Sequence, residues 1–150
     1  MSKLTFSIKA ENQNATRLNV DARQFKIVVD EPVALGGNDE GANPVEYILA
    51  GYAGCLNVVG HIVAKELGIK LKRFAIEISG DINPARFLGQ PSEERAGFQS
   101  LNVTLKVDSD ADELTLSKWL KIVEYRCPVN DNLSNPTPIK VALNQLVSLN

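Results

Sequence analysis

The chain has 150 residues, 44% hydrophobic and 23% charged, proportions that fit one ordinary globular domain and exclude a disordered or collagenous chain. Its formal net charge of −2 is dispersed along the sequence, so no basic field exists to gather nucleic acid or anionic lipid. Only two cysteines are present, which excludes a disulfide-dense secreted scaffold. The first nine residues alternate polar and apolar and lack the apolar core of a signal peptide. The expected location is therefore the cytoplasm, where thiols stay reduced, and the expected organisation is a single domain over residues 1–150.

In chain order, Leu4 to Ala10 alternates with period two and predicts a strand. Arg17 to Val20 and Phe25 to Val29 predict two more, separated by turn residues. Pro32 ends this run, and Gly36 to Gly41 forms a flexible loop. Asn43 is a good N-cap, Pro44 suits the first helical position, and Glu46 completes a capping box. The helix that follows carries no charge from Tyr47 to Ala64, and Gly68 closes it at C′. Its apolar stretch reaches the lower edge of a membrane span, but Asn57 and His61 interrupt it and three glycines dilute it. A helix apolar on every side in a water-soluble pattern is buried on every side. Strands are expected at Leu71–Ile82 and Phe98–Val107, with a loop from Asn83 to Arg95. A second helix begins near Asp110 and is broken at Cys127-Pro128. A further short turn covers Val129 to Leu133, and a last strand covers Ile139 to Leu149. Strand runs kept apart from helices argue for an α+β fold with antiparallel sheets. Six short strands cannot cover so apolar a helix alone, so a homodimer is expected.

The residues able to carry chemistry are few. Cys55 lies about three turns into the long helix, where burial would raise its pKa and leave it inert. Free cysteine is also a common core residue. Cys127 would be the N-cap of a helix starting at Pro128, a position that together with Arg126 favours thiolate. The alternative is an incidental cysteine at a helix break. His61, six residues beyond Cys55, falls on another helical face, which argues against a Cys–His nucleophile and for a hydrogen-bonded core histidine. Metal binding is not expected, since zinc takes four ligands, typically in close pairs.

The run Gly36 to Tyr47 leading to Ala53-Gly54-Cys55, with Cys127-Pro128-Val129-Asn130, resembles the osmotically inducible protein C and organic hydroperoxide resistance family. Gly80 to Pro84, Phe87-Leu88-Gly89 and Arg95 to Phe98 match its middle section. The resemblance covers nearly the whole chain in consistent order. It implies an intertwined homodimer, with two sheets wrapped around central helices and active sites at the subunit interface. It further implies that Cys55 attacks an organic hydroperoxide and becomes a sulfenic acid, that Cys127 condenses with it to a disulfide, and that an external dithiol reduces this bond. No metal or bound cofactor is implied.

Members of this family lower the thiol pKa with an arginine from the N-terminal strands, held by a glutamate at the start of the cysteine helix. Arg17 lies nearest the expected place for the arginine, with Arg23 the alternative. Glu46 is the glutamate available. The hydroperoxidase branch has it directly after Asn-Pro, where this chain has Val45, and one residue is about 100° around a helix. The expected activity is a thiol peroxidase. A non-catalytic small-molecule-binding module with vestigial cysteines is the alternative. A thiol–disulfide oxidoreductase acting on proteins conflicts with a deep Cys55.

Overall fold

The computed structural model describes residues 2–145. Strands β1 (Lys9–Asn12), β2 (Leu18–Ala22) and β3 (Phe25–Val29) form one antiparallel sheet in the order β1-β2-β3. Helix α1 (Pro44–Glu66) follows, then the antiparallel pair β4 (Leu71–Gly80) and β5 (Leu101–Ser109), then helices α2 (Glu113–Arg126) and α3 (Pro128–Ser134). The α+β class with antiparallel sheets is as expected from the sequence.

Helix α1 starts and stops where local chemistry dictates. The Asn43 side chain accepts the Glu46 N–H at 2.9 Å, and the Glu46 carboxylate accepts the Asn43 N–H at 2.8 Å, a reciprocal capping box. At the other end Gly68 has φ +72°, a left-handed conformation that glycine adopts without penalty. Its N–H reaches the Lys65 carbonyl and the Ile69 N–H reaches Ala64, the two bonds of a Schellman motif.

The core lies between α1, α2 and the β4–β5 sheet. Tyr52, Leu56, Val63 and Ala64 of α1 meet Trp119 and Val123 of α2 and the junction residue Cys127. Against them lie Phe74, Ile76 and Ile78 of β4, which pair across the strands with Val107, Leu105 and Val103 of β5. The period-two pattern puts all six on one face. Gly60 allows the closest approach. The Trp119 indole N–H donates to the Gly60 carbonyl at 2.8 Å, and a Cβ on Gly60 would lie 2.7 Å from the Phe74 ring and 3.1 Å from Trp119.

Three expectations need correction, and a fourth, the burial of the long helix, is met only in part within the single chain. The helix α1 is long and apolar enough to cross a membrane by length and composition. In the single chain one face packs in the core, while Ile48, Val58 and Ile62 are exposed, on the side that the expected second copy would cover. His61 is exposed rather than in the core, although its Nδ1 lies 2.8 Å from the Asn57 carbonyl and its ring lies 5.8 Å from that of Phe74. The first strand begins only at Lys9, because β2 pairs with Lys9–Asn12 and no strand among the described residues pairs with the segment before it. Leu4, Phe6 and Ile8 are therefore exposed. Residues 139–145 form no strand for the same reason, leaving Ile139, Val141 and Leu143 exposed, and the rest of that expected strand lies outside the described residues.

Replacing Gly60 with valine forces both aromatic rings to move. Overpacking of this kind costs about 1–3 kcal/mol, and urea unfolding of Gly60→Val should show a loss in that range.

Candidate active site

Two elements bring the cysteines together. Cys55 lies on α1, and Cys127 stands at the junction of α2 and α3, where it is both the last cap of one helix and the first cap of the next. The packing of α2 on α1 leaves the two sulfurs 2.9 Å apart, with the Cys127 thiol donating to Cys55. Both are free thiols. Their exposure reverses the expected order, since Cys55 is half-buried and Cys127 fully buried.

Cys127 has the anticipated N-cap geometry, its sulfur accepting the Asn130 N–H at 3.4 Å. Burial nevertheless pushes its pKa above the ordinary thiol range, and the hydrogen bond with Cys55 adds to the rise. The N–H groups of Asn130 and Val129 oppose this without reversing it. Arg126, expected to help, turns away to pair with Glu66 at 3.1 Å. Cys127 is thus a protonated donor at neutral pH.

Tyr52 and Asn130 brace the pair, and no pattern in the sequence marks either role. The Tyr52 hydroxyl donates to Asn130 Oδ1 at 2.6 Å, and Asn130 Nδ2 donates to the Glu124 carbonyl at 3.1 Å. Burial raises the pKa of Tyr52, and the negative charges that Cys127, Glu124 and Cys55 can carry add to this, so the phenol remains a donor. One amide thereby ties α1, the end of α2 and the start of α3 together. Tyr52 and Asn130 also line a cavity of about 380 Å³, walled by Ile48, Phe98, Leu101 and Leu133 and edged by Arg95.

Within the single chain the two expected accessory residues are engaged with other partners. Glu46 is engaged in the capping box of α1. Arg17 forms an ion pair with Glu40, and among the described residues no hydrogen bond or ion pair links Arg17 or Glu46 to either sulfur. Arg23 occupies the β2–β3 turn with φ +59° and lies over the Phe25 ring at 5.1 Å. Among the described residues no three His, Cys, Asp or Glu side chains converge on a metal-sized site.

The loop that carries Glu40 is organised by Asp30, a fully buried carboxylate. Its oxygens accept the N–H groups of Glu31 at 2.9 Å, Asn38 at 3.1 Å and Glu40 at 3.2 Å. Burial alone would raise its pKa, but these bonds and one from Thr16 outweigh it and hold the carboxyl below its ordinary range. Residues Asp30 and Glu40 escaped the sequence reading because their partners are set by the path of the loop.

An OsmC-like protein family model matches residues 36–142, most of the chain. The chain belongs to the OsmC-like family. A curated relative of this OsmC-like chain, a hydroperoxide reductase of Mycoplasma genitalium, is 25% identical over 136 residues, spanning 91% of this chain and 92% of the relative. Among solved structures, an OsmC-like protein from Mycoplasma pneumoniae superimposes with a TM-score of 0.76 at 21% identity, covering 89% of both chains. An organic hydroperoxide resistance protein OsmC from Legionella pneumophila superimposes with a TM-score of 0.63 at 20% identity, covering 89% of this chain and 91% of its own. These two likenesses establish the fold.

The acidity of Cys127 has a measurable sign. A thiol whose pKa is raised by folding keeps its proton where the unfolded chain has lost it, so its contribution to stability falls as pH rises beyond the usual thiol value of about 8.5. Native protein should therefore alkylate at Cys55 first, with Cys127 resisting iodoacetamide until above that pH. Peptide mass mapping across a pH series reads the order.

Proposed function

We propose that this chain is a thiol-dependent peroxidase of organic hydroperoxides, working as a homodimer in a reducing, cytoplasmic compartment without a bound cofactor. The observation that carries this reading is the sulfur pair, with an accessible Cys55 backed by a buried Cys127 at 2.9 Å. Membership of a family that includes a protein named hydroperoxide reductase supports a peroxide-related redox role.

In this mechanism the Cys55 thiolate attacks the distal oxygen of ROOH. The O–O bond breaks, ROH leaves after taking up a proton, and Cys55 becomes a sulfenic acid. Cys127 then attacks that sulfur, the S–S bond forms, and water departs with the Cys127 proton. An external dithiol reduces the disulfide by exchange and is itself oxidised to a disulfide. A pre-assembled pair makes the second step intramolecular, which favours it by removing the need for an encounter. Arg17 supplies positive charge to Cys55 when two copies assemble. The exposed apolar face of α1 and the segments 4–8 and 139–145, with Leu4, Phe6, Ile139 and Val141 exposed, are the surfaces that assembly would cover.

The cavity beside Tyr52 and Asn130 favours a second reading, a module that binds an apolar small molecule and has vestigial thiols. Stopped-flow consumption of cumene hydroperoxide with a dithiol reductant separates the two. Wild type should turn over, Cys55→Ser should fall to background, and Cys127→Ser should stop after one oxidation with a sulfenic acid that dimedone traps. Equal background rates in wild type and Cys55→Ser would leave only the binding module.

A further inference from the structure

We infer that Glu40, not Glu46, is the carboxylate that orients Arg17, and that the buried Asp30 is the positioning residue that holds Glu40 in place. This deepens the peroxidase reading and rests on it, because it concerns the charge that Cys55 requires.

A guanidinium on a flexible stem is an effective local charge only when something fixes its plane, and a carboxylate does this by accepting from its N–H fork. Two acids compete for that role in this chain. Glu46 is committed, since its carboxylate accepts the Asn43 N–H at 2.8 Å while its own N–H is held by Asn43 Oδ1 at 2.9 Å. Pulling it away would open the first turn of α1. Glu40 is free of such duty and already forms the ion pair with Arg17 Nη1.

Glu40 in turn does not rely on its own loop for position. Its N–H is one of three that converge on Asp30, a side chain fully removed from solvent. The backbone leaves little room for another path. A Cβ on Gly37 would lie 1.9 Å from the Glu31 carbonyl oxygen, and one on Gly41 would lie 2.4 Å from that of Val28. On the other side, Asn14 Oδ1 accepts the N–H groups of Thr16 at 2.9 Å and Arg17 at 2.7 Å, which fixes the backbone from which the arginine projects. Both ends of the ion pair are therefore anchored independently. The pair also leaves one donor unused. Arg17 Nε is buried and has no hydrogen-bond partner among the described residues; the 33% of the side chain that stays exposed is the part that Cys55 of a second copy would meet.

The sign of the effect distinguishes positioning from simple neutralisation. If Glu40 only cancelled part of the arginine charge, removing it would strengthen the cation and move the ionisation of Cys55 to lower pH. If Glu40 fixes the guanidinium, removing it lets the charge wander, and Cys55 ionises at higher pH. The experiment measures the pH profile of Cys55 alkylation and the rate of oxidation by cumene hydroperoxide, on the full-length chain at a concentration where wild type is assembled. Glu40→Gln should move the profile to higher pH and slow oxidation by about 10- to 100-fold, the range for a misplaced reacting group. Glu40→Asp should recover part of the loss, and Glu46→Gln, which preserves the cap, should remain within about twofold of wild type. On an Arg17→Ala background Glu40→Gln should add nothing, since residues acting through one contact are not additive. Asp30→Asn should reproduce Glu40→Gln where circular dichroism shows that it folds, and the exposed Glu40 keeps the test independent of that outcome. A Glu40→Gln protein with wild-type rate, or with its profile moved to lower pH, overturns the inference, as does an Arg17→Ala protein with wild-type rate. The peroxidase reading fails separately, when wild type is no faster than Cys55→Ser.

Discussion

The contact between Trp119 and Gly60 sets the geometry on which the candidate site depends. An indole can approach the backbone of α1 only where no side chain stands in the way, and its N–H satisfies the Gly60 carbonyl across that gap. This anchors α2 at a fixed height on α1. Two turns later α2 ends at Cys127, and the same docking brings that sulfur to Cys55 on the neighbouring helix. Without so close an approach the helices would separate by the thickness of a side chain, and the thiols would lose contact.

Around that pair the chemistry divides by exposure. The half-buried sulfur can meet a small molecule, while the fully buried one is kept protonated by its surroundings and braced through Asn130 by Tyr52. A buried thiol is slow to react with reagents in solution but is well placed to meet a neighbour that has already been oxidised. On the proposed mechanism, this difference in environment sets the order of events for two residues of the same type.

Local features were legible in the sequence. Asn43-Pro44 with Glu46, Gly68, and the alternation from Phe74 to Ile78 each specify a conformation within a few residues, and the structure adopts all of them. The ends were not legible, because alternation predicts a strand but not a neighbour, and Leu4 to Ile8 has none among the described residues. The sulfur pair depends on helix docking at Gly60, and the residue that docks there, Trp119, lies 59 positions further along the chain. Glu40 and Asp30 were invisible for a related reason: the three N–H groups on Asp30 come from residues up to ten positions away, and only the turns of the loop bring them back. Glu46, by contrast, was legible as a cap, and it is a cap that the structure makes of it.

The double duty of Cys127 bears on how such a chain can change over time. Its sulfur closes a turn at the start of α3 and fills a fully enclosed space under α1, so the architecture itself restrains what may replace it, whether or not the protein reacts with anything. Cys55 has no comparable structural task. In descendants that abandon redox chemistry, the thiol on the long helix is the one free to drift, and its retention is the more telling mark of a working enzyme.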